Sequence, residues 1–116
     1  MFEVSVTGRE VTYTLQDVQQ EVARQIGRDY SARNPIGLQC LMCLGLSEEA
    51  GEVAGLMKRL LRCHDDKDTE RSSHEHFIEE LGDVLWYLAA TCQMFGITLD
   101  QIWLYNYEKL QKRYGE

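Results

Sequence analysis

Proline occurs once in 116 residues, at position 35. Proline breaks helices, so its scarcity allows long uninterrupted ones. No run of 18 apolar residues exists, which excludes a conventional membrane-spanning helix. Positive charge is also scarce: 12 Lys and Arg stand against 19 Asp and Glu, a net charge of −7. Phosphate backbones are held by a surplus of Lys and Arg, so nucleic acid is not expected as a routine partner. A small phosphate ligand remains compatible, provided metal ions bridge the two negative parties. Met1-Phe2-Glu3-Val4 lacks the basic and then apolar pattern of a signal peptide, so a cytoplasmic protein is expected. The length suits one domain, residues 1–116, and 44% apolar with 27% charged residues is ordinary soluble composition.

Cysteine is sparse, at four residues, and lacks metal spacing. Cys40 and Cys43 form a C-x-x-C with no second copy, inside the apolar run 38–44. They are expected to be buried thiols acting as small hydrophobes rather than a redox pair or half a zinc site. Cys63-His64 and His74-x-His76 match no standard zinc finger spacing.

What the chain does contain is one motif stated twice. Residues 46–53 read Leu46-Ser47-Glu48-Glu49-Ala50-Gly51-Glu52-Val53, and residues 77–84 read Phe77-Ile78-Glu79-Glu80-Leu81-Gly82-Asp83-Val84. A shift of 31 positions puts Glu48 on Glu79, Glu49 on Glu80 and Glu52 on Asp83. Helix positions three or four apart share a face, so Glu49 pairs with Glu52, and Glu80 with Asp83. Acids beside a core are costly unless something positive meets them. Four converging carboxylates suit a hard divalent cation that prefers oxygen, Mg²⁺ or Mn²⁺. Gly51 is expected to admit a second backbone closely, bringing the facing acids within reach of a shared ion.

Residues 2–13 alternate apolar and polar around Gly8, which reads as a short β-hairpin or as a disordered leader. Thr14 caps a first helix ending near Arg28 or Tyr30. Asn34-Pro35 starts a second, running to about Cys63, and Lys58, Arg59 and Arg62 suit the dipole of its last turns. Residues 64–72 read as a mobile polar loop, with His64, His74 and His76 solvated. Ser73 is expected to cap a third helix that ends at Gly96. Within it, Trp86 and Tyr87 serve the core or a subunit contact, or a base-stacking platform. Thr98 and Gln101 form a capping box for a fourth helix, Leu99 to about Tyr114, stopped by Gly115. Asn106, Lys109 and Arg113 share one face of it, with Ile102, Trp103, Tyr107 and Leu110 on the apolar side.

Two helices each presenting an acid pair point first to metal-assisted phosphoryl or nucleotidyl transfer to water. A ferritin-type di-iron bundle needs Glu-x-x-His pairs. Leu61, Arg71 and Ser73 stand three residues before the histidines, so none exists. A non-enzymatic helical interaction module is the third reading.

The sequence resembles the MazG-like all-α nucleoside triphosphate pyrophosphohydrolases. The resemblance is carried by Glu49-Ala50-Gly51-Glu52 and Glu80-Leu81-Gly82-Asp83, by the words around them (45–53 and 79–89), and by the tail 106–114. It spans about residues 36–115 and leaves the N-terminal segment outside. It implies an all-α bundle of four to five helices completed by oligomerisation, as a homodimer or homotetramer. It implies Mg²⁺-dependent cleavage of a nucleoside triphosphate, ribo- or deoxy-, to monophosphate and pyrophosphate, as house-cleaning of the nucleotide pool. By the same resemblance Glu49, Glu52, Glu80 and Asp83 are metal ligands, and Glu48 is an extra acid that orients water. Asn106, Lys109 and Arg113 then face the phosphates. A phosphoribosyl-ATP pyrophosphohydrolase of the same fold is the enzymatic alternative. The base preference is left open, its pocket falling to helix 1, the loop near Asn34, Trp86, Tyr87 or a partner chain.

Overall fold

The computed structural model describes residues 12–31, 33–62 and 69–115, of 69–73 the backbone only. The fold is all-α. Four helices follow one another: α1 (Leu15–Tyr30), α2 (Pro35–Arg62), α3 (Thr69–Met94) and α4 (Leu99–Tyr114). No strand occurs among the described residues, and the expected hairpin lies almost wholly outside them. No described helix is long and apolar enough to cross a membrane.

Local chemistry explains the ends. The Thr14 hydroxyl accepts from the Asp17 N–H at 3.1 Å, and the Asp17 carboxylate accepts from the Thr14 N–H at 3.0 Å. These reciprocal bonds satisfy two of the amide donors a helix start leaves orphaned. The Asn34 side chain accepts from the Ile36 N–H at 2.8 Å, with Pro35 in the first helical position. At the end of α3, the Ile97 N–H reaches the Cys92 carbonyl at 2.9 Å and the Gly96 N–H the Gln93 carbonyl at 3.3 Å. Gly96 has φ of 67°, the left-handed conformation this closing motif requires. The Thr98–Gln101 capping box then opens α4.

The start of α3 differs from expectation. The helix begins at Thr69, so Ser73 lies inside it and residues 69–72 are helical rather than loop. No proline or glycine lies between 69 and 81 to stop the helix. Residues 63–68, the rest of the expected loop, lie outside the described residues, as do Cys63 and His64.

Helices α2 and α3 run antiparallel. The Gln39 side chain bonds the Met94 carbonyl at 3.1 Å, Gly45 touches Tyr87, and Glu49 meets Asp83, so the chain numbers rise on one helix as they fall on the other. The core is one cluster: Val22 and Ile26 of α1, Leu38 and Met42 of α2, Ala89, Ala90 and Cys92 of α3, and Leu99 of α4. Gln19 is buried beside it. Its amide donates to the Ile97 carbonyl at 2.8 Å and accepts from the Leu99 N–H at 2.8 Å, tying the α3–α4 turn to α1. A buried amide this well satisfied fixes geometry rather than costing stability.

Two sequence expectations are corrected here, and the expected apolar side of α4 is found only partly covered. Cys40 and Cys43 are exposed, because Leu38 and Met42 define the inward face of α2 and the two thiols fall away from it. Trp103, Tyr107 and Leu110 stay exposed on α4, whose packing rests on Leu99 and Ile102. Gly51 admits no second backbone among the described residues, since a Cβ there would meet nothing within 4 Å. The close approach is made at Gly45, where the Tyr87 ring occupies the space a side chain would need.

The open space at Gly51 gives a clean test of chain assembly. In a free chain, Gly51→Ala gains helix propensity and should stabilise by up to about 1 kcal/mol. If a second copy packs on this face, the same change should destabilise and shift the oligomer toward monomer. Thermal melts beside light scattering separate the two.

A candidate metal centre and its cleft

The twin motifs meet where the middle of α2 faces the first half of α3. Glu49, Glu80 and Asp83 each offer a carboxylate oxygen, and these oxygens all lie within 4.8 Å of one another. Glu49 and Glu80 are half-buried and Asp83 is exposed. Antiparallel pairing produces this directly, because it sets the E-x-x-E word of α2 against the E-x-x-D word of α3. Glu48 and Glu52 are exposed and stand outside the triad. Their charges still reach it. The Glu49 pKa is raised above the usual glutamate value, first by partial burial, then by Asp83, Glu80, Glu48 and Glu52 in that order. Among the described residues, no Lys or Arg is ion-paired with Glu48, Glu49, Glu52, Glu80 or Asp83. His76 does meet one of them, its Nε2 standing 3.1 Å from Glu80 Oε1.

The triad opens onto a shallow cleft of about 340 Å³, lined by Tyr30, Glu49, Asp83, Trp86 and Tyr87. Its aromatic wall is held in place. The Trp86 indole N–H donates to Gln25 at 2.8 Å, and Tyr87 meets Trp86 edge to face with ring centroids 5.0 Å apart. The Tyr87 phenol is pushed above its usual pKa, mainly by burial and then by Tyr30, Glu49, Glu48 and Asp83. It is therefore a neutral hydrogen-bond donor at physiological pH. Acids and flat aromatic surface thus share one cleft.

This donor set fits a hard divalent cation. It is oxygen only, it carries excess negative charge, and three carboxylates would leave further coordination positions open. No Cys or His cluster among the described residues has comparable geometry. A model of the MazG nucleotide pyrophosphohydrolase domain matches residues 39–116, which include both acid words and α4. The chain belongs to the MazG nucleotide pyrophosphohydrolase family. It is 37% identical over 70 residues to the Gene 37 protein of Mycobacterium phage L5, covering 60% of each chain. It is 36% identical over 73 residues to the uncharacterized protein YvdC of Bacillus subtilis (strain 168), covering 60% of this chain and 69% of that one. The match thus spans about 60% of the phage relative's length.

Within this MazG domain, Asn106, Lys109 and Arg113 lie on α4, and none of them lines the cleft of the single chain. Tyr30 and Gln25, which have no expected site role, belong to the cleft or its support, and His76, expected to be solvated, is exposed but bonded to Glu80. His76 carried a usable signal, since it precedes Glu80 by four positions on one helix. Tyr30 and Gln25 carried none, because their position depends on how α1 packs. His74 is half-buried rather than solvated.

The raised Glu49 pKa sets a pH dependence. A metal needs its ligand carboxylates ionised, so protons compete for the site. Thermal stabilisation by Mg²⁺ or Mn²⁺ should be full near neutral pH. It should shrink as pH falls through the raised Glu49 value, above the 4.5 of an ordinary glutamic acid. Without metal the sign reverses. A carboxyl whose folded pKa exceeds its unfolded value favours the fold at low pH and loses that contribution as pH rises through the folded pKa. Melting curves from pH 4 to 8, with metal and with EDTA, should therefore converge toward the acid end.

Proposed function

We propose that this protein hydrolyses nucleoside triphosphates, ribo- or deoxy-, to the monophosphate and pyrophosphate, clearing unwanted members of the nucleotide pool. The observation that carries the reading is the triad of Glu49, Glu80 and Asp83, with no Lys or Arg paired to it among the described residues, beside an aromatic-walled cleft. The triad holds Mg²⁺, or Mn²⁺ in its place, and Glu52 completes the ligand set from the exposed side of α2. A bound divalent ion supplies charge neutralisation for the polyphosphate oxygens.

The remaining work falls to side chains. Glu48 and Glu49 accept a hydrogen bond from the attacking water and orient it toward phosphorus, Glu48 from the rim. The water oxygen bonds to phosphorus as the anhydride oxygen leaves with pyrophosphate, and the water's proton is passed to the surrounding carboxylates. Tyr30, Trp86 and Tyr87 offer flat surface to the base. Asn106, Lys109 and Arg113 contact the phosphates, reaching them in the assembled homodimer or homotetramer. Leu44, Leu61, Leu81 and Leu85, all exposed on α2 and α3, support such an assembly.

The test is pyrophosphate release from a panel of ribo- and deoxynucleoside triphosphates, with Mg²⁺ and with EDTA. Metal-dependent release with monophosphate as co-product supports the reading and names the base. Release from phosphoribosyl-ATP alone would move the reaction to that substrate. Silence on all of them would favour a binding module.

A further inference from the structure

The two copies of the motif are not equivalent at one position. Counting back four residues from the first acid of each pair gives Gly45 before Glu49 and His76 before Glu80. On α2 the place of a side chain is taken by the Tyr87 ring. On α3 it is occupied by an imidazole whose Nε2 lies 3.1 Å from Glu80 Oε1. A carboxylate only accepts, so Nε2 must carry the proton in this bond. The Glu80 side chain is 16% exposed while that of His76 is 46% exposed, so the imidazole bonds a carboxylate that is itself largely enclosed. Glutamate has three rotatable side-chain bonds and loses freedom whenever it is fixed as a ligand. A donor bound to one oxygen spends part of that ordering in advance, and a carboxylate has a second oxygen to offer. Glu49 and Asp83 have no comparable holder among the described residues.

We propose that His76 is a positioning residue for the metal centre: it holds Glu80 by Oε1 so that the carboxylate is presented to the divalent cation. This rests on the metal reading of Glu49, Glu80 and Asp83. Partners of this kind behind metal ligands typically change affinity by roughly ten- to a hundred-fold when removed.

The experiment is a Mn²⁺ titration of the full chain without nucleotide, following the electron paramagnetic resonance signal of the free aqua ion. Wild type is compared with His76→Ala, His76→Gln and Asp83→Asn, and circular dichroism checks that each is folded. Wild type should bind Mn²⁺ and Asp83→Asn should not. His76→Ala should weaken binding roughly ten- to a hundred-fold. His76→Gln, which restores an N–H donor of similar reach, should recover most of the loss. Wild-type affinity in His76→Ala would overturn the proposal while leaving the metal site standing, as would a loss that His76→Gln does not recover. Binding in wild type that survives Asp83→Asn, or no binding at all, would overturn the metal reading and this inference with it.

Discussion

Asp83→Asn and Glu49→Gln should each lower Mg²⁺-dependent pyrophosphate release by about 10³-fold or more while leaving the metal-free fold intact. Metal-ion stabilisation of phosphoryl charge amounts to several kcal/mol, and about 1.4 kcal/mol is tenfold in rate. Removing one of three gathered oxygens sacrifices most of that. The stability half of the prediction follows from the same geometry. Glu49, Glu80 and Asp83 repel one another without a cation, and Glu49 is already harder to ionise than an ordinary glutamate. An amide of the same shape removes that repulsion. In EDTA, therefore, both variants should melt at or above the wild-type temperature. With saturating Mg²⁺ the order should reverse, because only wild type gains from the ion. Lost activity together with lower stability in EDTA would mean the acids build the fold. Unchanged activity would remove them from the chemistry.

Much of this arrangement was legible from residues alone, for physical reasons that differ by feature. Helix ends were readable because caps are local. Thr14, Asn34, Thr98, Gly96 and Gly115 act on their own or adjacent turns, and each stands where its residue type places it. The meeting of the acids is readable because the motif is repeated and two antiparallel helices carrying one word each must bring the words together, although Glu52, expected in a group of four, stays outside the group of three. The burial of α2 was not readable. Leu38, Cys40, Leu41, Met42, Cys43 and Leu44 are all apolar, so periodicity cannot say which face points inward. Cys40 and Cys43, expected inward, lie outward for that reason. The start of α3 was misplaced because a charged, polar stretch reads as a loop, although it contains nothing that stops a helix. The aromatic wall needed tertiary information, since Tyr30 meets Trp86 and Tyr87 only through the packing of α1 against α3.

The least legible contact is also the most sensitive to substitution. Gly45→Ala should destabilise the protein by about 1–3 kcal/mol, although helix propensity alone predicts a gain of up to about 1 kcal/mol. The sign decides between the two effects. A Cβ at Gly45 would lie against Tyr87 Cε1, Cδ1 and Cζ, inside the space of the ring, so the ring must move. Tyr87 cannot move alone. It is stacked edge-on with Trp86, which is bonded to Gln25, and its ring is packed against the buried cluster. Displacing it disturbs the wall of the cleft beside Glu49 and Asp83. Gly45→Ala should therefore also raise KM for nucleotide more than it lowers Mn²⁺ affinity, because the triad oxygens come from other turns. Gly45→Ala combined with Tyr87→Leu should recover the lost stability but not the nucleotide affinity. Separating the two in this way assigns Gly45 to admitting the ring and Tyr87 to the substrate. A stabilised Gly45→Ala protein would instead mean that Tyr87 has another rotamer open to it, and that the aromatic wall is adjustable rather than fixed.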